Sequence, residues 1–292
     1  MKKIFVVITL LLSLSAGYLY GLFSHRDYLP PYPQLLAAKN RLFPLSIGFT
    51  DTSGKTGVPC AQTSGTRPMV ALVFGQSNSG NHGETLYRPG RAVYNFFRGR
   101  CYKAEDPLLG TTGDRGSVWS RLGDLLIARG RYDTVTFIPI GVGTTTIDQW
   151  TVGGYLHRRI INAIRESRSC GLRITHLLWV QGGSEPWTRG DAANRDAYKR
   201  KFMAMLDSIR ANGVDAPIFV APATYSHAGV NPDIHRAQLE LADPKRGIFT
   251  GADNDILYAT DENIWERVHL SHRGLALGAR AWLDAIVTAE GR

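Results

Sequence analysis

The chain has 292 residues, is 43% hydrophobic and 20% charged, and carries a formal net charge of +9. That is enough apolar sequence for one large α/β domain or two small ones, and it excludes a disordered or fibrous chain. Lys and Arg are scattered rather than run together, so the sequence shows no nucleic-acid-binding arm and no nucleic-acid partner is expected. The basic balance reads as a solvated surface, with attraction to an anionic glycan or lipid headgroup as the sharper alternative.

At the N-terminus, Lys2 and Lys3 precede an uncharged run over residues 4–23, followed by His25 and Arg26. Such a run is long enough to cross a ~30 Å hydrocarbon core as a helix. It also has the apolar stretch and small residues of a signal peptide, but no clean Ala-x-Ala site, so an uncleaved anchor is the favoured reading. Either reading leaves the lysines inside and places the rest of the chain outside the cytoplasm, periplasmic or secreted, with residues 4–23 holding it to the inner membrane. Three cysteines fit an oxidising compartment. Cys60 and Cys101 flank the first core strand and form the candidate disulfide, leaving Cys170 free; closing that loop would contribute about 4 kcal/mol in the chain-entropy model. No paired His spacing accompanies the cysteines, so no metal is expected.

Residues 24–66 read as a linker and an irregular N-terminal arm, with Pro30, Pro31 and Pro33 favouring extended structure. From residue 67 an alternation begins and runs to the end of the chain. Residues 69–75 (MVALVFG) form a continuous apolar run, as a strand buried on both faces should. Residues 92–97 make a shorter strand, 119–129 a helix, 134–140 (TVTFIPI) a strand, 155–168 a helix and 175–180 (THLLWV) a strand. A long amphipathic helix over 192–212 is stopped by Gly213, a strand follows at 217–221, and helices at 234–241 and 275–289 close the chain. Strands alternating with helices predict a three-layer α/β/α sandwich with a parallel five-stranded sheet. Right-handed crossovers put the strand C-termini along one edge, where ligands bind in such folds.

Four polar clusters follow strands or precede helices, and each alone also fits an ordinary capped loop. In GQSNSGN at 75–81, Ser77 sits at a strand-to-loop turn where its hydroxyl can project into the crevice. In ERVHLSHRG at 266–274, His269 can reach back to that serine as a general base, and Glu266, three residues earlier, can bond its other ring nitrogen. In QGGSE at 181–185, the Gln181 amide can donate to a developing oxyanion, and GDRGS at 113–117 offers backbone N–H groups at a helix start.

The blocks GQSN, WxQG and HLSxxG, in that order, resemble the SGNH/GDSL hydrolases, and more narrowly the carbohydrate esterase branch with sialate O-acetylesterases and acetylxylan esterases. GTTTIDQW at 143–150 is similar to that branch's GGTSIxxW segment. The resemblance spans about residues 69–285 and implies a flavodoxin-like fold. It makes Ser77 the nucleophile, His269 the base and Gln181 an oxyanion donor beside the Ser77 N–H, with Gly116 as the matching oxyanion glycine. Asn78 belongs to the nucleophile motif. The string Ser79-Gly80-Asn81-His82 spells the superfamily's name by coincidence, and His82 lies too near the nucleophile loop to be the preferred base. The chain departs from the branch at Glu266, where Asp is usual and Asp261 is the fallback, and in QGGSE, where the branch reads QGESD.

The reading is an extracytoplasmic serine esterase acting on an O-acetylated carbohydrate, without cofactor, with Trp150 and Trp187 as candidate sugar-stacking residues or plain packing. Two alternatives are a polysaccharide O-acetyltransferase on the same fold and a non-catalytic glycan-binding protein on a degenerate esterase scaffold.

Overall fold

The computed structural model of the protein describes residues 13, 15–21, 48–187 and 190–291. The chain divides into two compact units, Met1–Ser46 and Ile47–Arg292. In the first, residues 15–21 are helical, and the rest of the expected anchor run apart from Ser13 lies outside the described residues. Among the described residues no helix is long and apolar enough to cross a membrane.

The second unit opens with a two-residue strand, β1 (Gly57–Val58), and then the long strand β2 (Pro68–Gly75). Alternate β2 side chains point to opposite faces, and both faces are dry. Val70, Leu72 and Phe74 join one core cluster; Met69, Ala71 and Val73 join the other. Burial on both sides is why this segment is a continuous apolar run rather than an alternation. Strands β3 (Val93–Phe97), β4 (Arg100–Lys103), β5 (Thr134–Pro139), β6 (His176–Val180), β7 (Ile218–Ala221) and β8 (Ile248–Thr250) complete an eight-stranded sheet in the order β1-β4-β3-β5-β2-β6-β7-β8. From β3 to β8 the neighbours in that order run parallel, while β4 is antiparallel to both β3 and β1.

All five expected strands are present, and the sheet exceeds the expected five by β1, β4 and β8. These three are two to four residues long and only partly buried, so they lack the continuous apolar run that marks β7, which is as short as β4 but buried throughout. β4 returns beside β3 through Arg98 and Gly99, both at positive φ (48° and 74°), the geometry a two-residue hairpin requires. The Cys60–Cys101 disulfide ties the turn Cys60–Thr63 to β4. Residues 48–66 are therefore part of the folded unit rather than an arm. β1 pairs with β4, the Phe49 N–H donates to the Thr111 carbonyl (2.7 Å), and the Thr134 hydroxyl donates to the Thr63 carbonyl (2.7 Å).

Among the described residues of this unit, seven helices sandwich the sheet or border it: α1 (Val118–Ala128), α2 (Ile147–Trp150), α3 (His157–Ser169), α4 (Ala192–Ala211), α5 (Pro232–Glu240), α6 (Asn254–Leu257) and α7 (His272–Glu290). Residues of α2 to α5 pack on the Phe74 face, around Trp150, Trp179 and Phe202. Residues of α1 and α7 pack on the other face, where Trp119 and Trp282 meet at 5.3 Å between ring centroids. The parallel strands bring the ends of β2, β5, β6 and β7 to one edge, as the alternation predicts.

The last helix is tied down by Glu290. Its carboxylate accepts from Tyr132, from Arg131 (2.7 Å) and from His176 (3.2 Å). Burial raises the Glu290 pKa, but these donors outweigh it and bring it to about 2. A depressed carboxylate stabilises the fold above its ordinary pKa of 4.5 and loses that contribution as the pH falls towards 2. Glu290→Gln is therefore expected to cost about 1–2 kcal/mol at pH 7, allowing for partial exposure. The gap to wild type should close between pH 4.5 and pH 2 in urea titrations, and a gap constant over that range would refute the assignment.

Candidate active site

The site begins where β2 touches β6. Gly75 has φ +126°, and a Cβ there would lie 2.0 Å from the Val180 carbonyl oxygen, so only glycine lets the strands meet this closely. The next residue locks the approach: the Gln76 N–H donates to the Val180 carbonyl (2.8 Å), and its side-chain oxygen accepts from the N–H groups of Gly182 (2.9 Å) and Ser184 (3.2 Å). Ser77–Ser79 then forms a single 3-10 turn, closed by Ser79 N–H to the Gln76 carbonyl (2.9 Å) and Gly80 N–H to the Ser77 carbonyl (2.8 Å). The two serines have different surroundings. Ser79 is fully buried and donates to the Gln76 carbonyl (2.6 Å), while its own carbonyl accepts from the Trp119 indole (2.9 Å). Ser77 is half-buried, and the N–H groups of Ser77 and Asn78 have no acceptor among the described residues, as expected for the first residues of a turn.

Opposite this turn stands a short antiparallel ribbon, β9 (Ile264–Trp265) and β10 (His269–Leu270), in which His269 faces Trp265. The chain reverses through Glu266 and Arg267, both in the left-handed region at φ 47° and 67°. β10 packs against the Ser77–Ser79 turn, and the Leu270 carbonyl accepts from the Glu84 N–H (3.0 Å). Tyr258, buried and stacked on Tyr225 at 4.5 Å, bridges the two loops: its hydroxyl donates to the Val268 carbonyl (3.0 Å) and hydrogen-bonds the Asn78 side chain.

The His269 side chain is 14% exposed, and its Nδ1 is buried with no hydrogen-bond partner among the described residues. The Glu266 carboxylate lies 3.9 Å from that nitrogen, beyond hydrogen-bond reach, on a side chain that is 58% exposed. Asp261 is exposed in the turn Asp261–Asn263 and makes no ion pair with His269 among the described residues. The neighbour that does touch His269 is His82, whose ring stacks on it at 4.9 Å and 27°. Burial, with His82 and His227 nearby, lowers the His269 pKa to about 3. Burial lowers that of His82 to about 4, against the pull of Asp114. Both rings are neutral at ordinary pH.

The remaining residues singled out in the sequence divide clearly. Gln181 is fully buried, and its amide nitrogen donates to the Thr145 carbonyl (3.0 Å) and to Glu185 (2.7 Å). Both amide hydrogens are thereby used, which leaves none for an oxyanion in this arrangement. The Gly116 N–H donates to the Gly83 carbonyl (3.0 Å), so it too is committed; a Cβ at Gly116 would strike the Thr85 carbonyl. Trp150 is fully buried, donates to the Thr145 hydroxyl (2.9 Å) and packs with Phe74 and Trp179, so it belongs to the core and offers no face to a sugar. Trp187 is 39% exposed and follows the 181–185 loop.

Sequence reasoning missed what Glu185, His82, Thr112 and Tyr258 do. The Glu185 carboxylate accepts from the Ile147 N–H (2.6 Å) as well as from Gln181, and burial pushes its pKa up to about 7 against those donors. The blocks QGGSE and GTTTIDQW are thus stitched to each other. The Thr112 hydroxyl bonds His82 Nε2 (3.0 Å) and accepts from the Gly143 N–H (2.9 Å). His82 was visible as a histidine five residues after Ser77; Tyr258 and Thr112 carried no local signal. Among the described residues, His235, Asp253 and Asp255 are close enough together to hold a metal. Asp255 is already occupied, accepting from Thr224, Tyr225 and His235.

Residues 69–274, which contain all four blocks, match the family of carbohydrate esterases described as sialic acid-specific acetylesterases. A probable carbohydrate esterase of Arabidopsis thaliana is 30% identical over 109 residues, 37% of this chain and 40% of that relative's length. A solved structure of an Arabidopsis thaliana protein superimposes with a TM-score of 0.62 at 18% identity, covering 76% of this chain and 98% of that one. The crystal structure of NanS gives 0.53 at 15% identity, covering 77% and 98%. At these identities the superpositions establish a common fold. The sequence match over most of the folded unit goes further: the chain belongs to the carbohydrate esterase family of sialic acid-specific acetylesterases.

Proposed function

We propose that the protein is a serine esterase that removes O-acetyl groups from a carbohydrate, with Ser77 as nucleophile and His269 as general base. The observation that carries this reading is the packing of the turn bearing Ser77 against the ribbon bearing a neutral His269, at the edge where the parallel strands end. In the first step the Ser77 oxygen bonds to the ester carbonyl carbon while its proton passes to the imidazole. The unbonded N–H groups of Ser77 and Asn78 stabilise the oxyanion. The C–O bond to the sugar then breaks, and the sugar oxygen leaves with the proton held on His269. Water, deprotonated by the same ring, then attacks the carbonyl carbon of acetyl-Ser77; the bond from that carbon to the Ser77 oxygen breaks, the proton on His269 returns to that oxygen, and acetate is released. Glu266, the carboxylate nearest Nδ1, contributes attraction to the transient imidazolium across 3.9 Å rather than a hydrogen bond.

Placement outside the cytoplasm is supported by the Cys60–Cys101 disulfide, which suits an oxidising compartment. In this reading residues 4–23, behind Lys2 and Lys3, act as the signal or anchor. Trp187 is the remaining candidate for stacking on a sugar ring.

Ser77→Ala is expected to abolish turnover of p-nitrophenyl acetate and labelling by a fluorophosphonate. Ser79→Ala loses only a buried hydrogen bond and should keep both, with a lowered melting temperature. The reverse pattern would overturn the assignment, and an unlabelled wild type would favour a non-catalytic glycan binder. With an acetylated glycan, acetate should be released; its transfer to a glycan acceptor would instead identify an acyltransferase.

Because the base must be neutral and its pKa is lowered to about 3, kcat/KM should hold as the pH falls from 7 to 5. An acid limb centred near the ordinary histidine value of 6.5 would contradict the buried neutral ring. Gln181→Ala orphans buried partners and should cost about 1–3 kcal/mol in stability. The folded fraction should lose less than the roughly 10²–10³-fold in kcat that removal of an oxyanion donor costs.

A further inference from the structure

The histidine of a serine esterase has to be held in one orientation, and the usual device is a carboxylate hydrogen-bonded to the ring nitrogen remote from the serine. His269 lacks that bond. Its Nδ1 is buried and has no hydrogen-bond partner among the described residues, Glu266 stands 3.9 Å away on an exposed side chain, and Asp261 is exposed. What bears on the ring is a second imidazole. His82 lies nearly parallel to it at 4.9 Å, and His82 is itself pinned by Thr112, whose hydroxyl bonds its Nε2 at 3.0 Å and also receives the Gly143 N–H at 2.9 Å. His82 reaches this place because Asn81 is fully buried and bonded to both the carbonyl and the N–H of Leu108 (2.8 Å each), which fixes the backbone just before it.

We propose that His82 is the positioning residue for His269, so that the site works as a Ser77–His269 dyad oriented by ring stacking rather than as a triad oriented by a carboxylate. The proposal rests on the reading of His269 as the base. A flat ring held against one face of His269 blocks rotation about its side-chain bonds and excludes water from that face, leaving the ring edge free to exchange a proton with Ser77. The charged and titratable groups around the pair are Asp114 beside His82, and His227 and Glu266 beside His269. Exclusion of water keeps the pair neutral, which is why both pKa values lie below the ordinary histidine value.

The test uses the full-length protein with p-nitrophenyl acetate and three replacements at one position. His82→Phe keeps a flat ring without the Thr112 bond, His82→Leu keeps bulk without a flat face, and His82→Ala keeps neither. Misplacement of a reacting group by about 1 Å costs up to roughly 10²-fold. The expected pattern is a loss of kcat of about 10-fold or more in the Leu and Ala variants, with KM little changed and Phe close to wild type. In His82→Ala, water reaching His269 should also move the acid limb of kcat/KM upward, towards 6.5. Melting curves identify any variant that fails to fold, and the Phe and Leu pair decides the question if Ala does. Equal activity in all three, or a Phe variant as impaired as Leu, would overturn the proposal. A loss near the roughly 10⁴-fold of a broken triad in Glu266→Gln would overturn it as well. His269→Ala separates this inference from the reading beneath it. If His269→Ala retains turnover, the base assignment fails. If it abolishes turnover while the His82 series stays flat, only the stacking proposal fails.

Discussion

Two strands approach each other at Gly75 and Val180 more closely than any side chain would permit, and the geometry of the site follows from that contact. With no Cβ at Gly75, β2 can end directly against the β6 carbonyl, and Gln76 can turn its amide into the loop after β6. The 3-10 turn that presents Ser77 is therefore braced from beneath by backbone and side-chain hydrogen bonds before any group in it does chemistry. Parallel sheets leave their loops at one edge, but this close approach determines how rigidly one of those loops is held.

Much of the polar sequence that marks the family works as bracing. Gln181, Glu185, Thr145 and Ile147 form a buried set that joins the loop after β6 to the start of α2, and Trp150 hangs from the same Thr145. Buried polar groups are costly unless paired, so such a set fixes one loop arrangement against all others. Motifs that look like chemistry in a sequence can thus owe their residue types to hydrogen-bond accounting.

Burial also sets the character of the histidines. Removing water from His82 and His269 favours their neutral forms, the form in which an imidazole accepts a proton. With Nδ1 of His269 unpartnered among the described residues, the proposed orientation rests on packing, and the ring beside it supplies a flat wall. Tyr258 complements this by tying Asn78 to Val268, so that the serine turn and the histidine ribbon are held to one another across the crevice.

The five expected strands and the main helices were legible in the chain because apolar runs and helical periodicity encode burial residue by residue. Ser77 and His269, the proposed nucleophile and base, could be nominated from the sequence because a small polar residue after such a strand, and a histidine ahead of a terminal helix, are set by local order along the chain. The segment of residues 48–66 was misread as an arm because β1 is two residues long and its attachment depends on a disulfide and on partners far away in sequence. The functions of Gln181, Gly116 and Trp150 were likewise decided by tertiary neighbours, since a donor's role depends on which acceptor it meets. By itself the sequence determined which segments are buried and the layered α/β architecture, and it nominated the two residues of the proposed site. Only the tertiary structure decided that Glu266 stands outside hydrogen-bond reach and that His82 lies against His269, because both depend on the path of the turn through Glu266 and Arg267 and on loops brought together from distant parts of the chain.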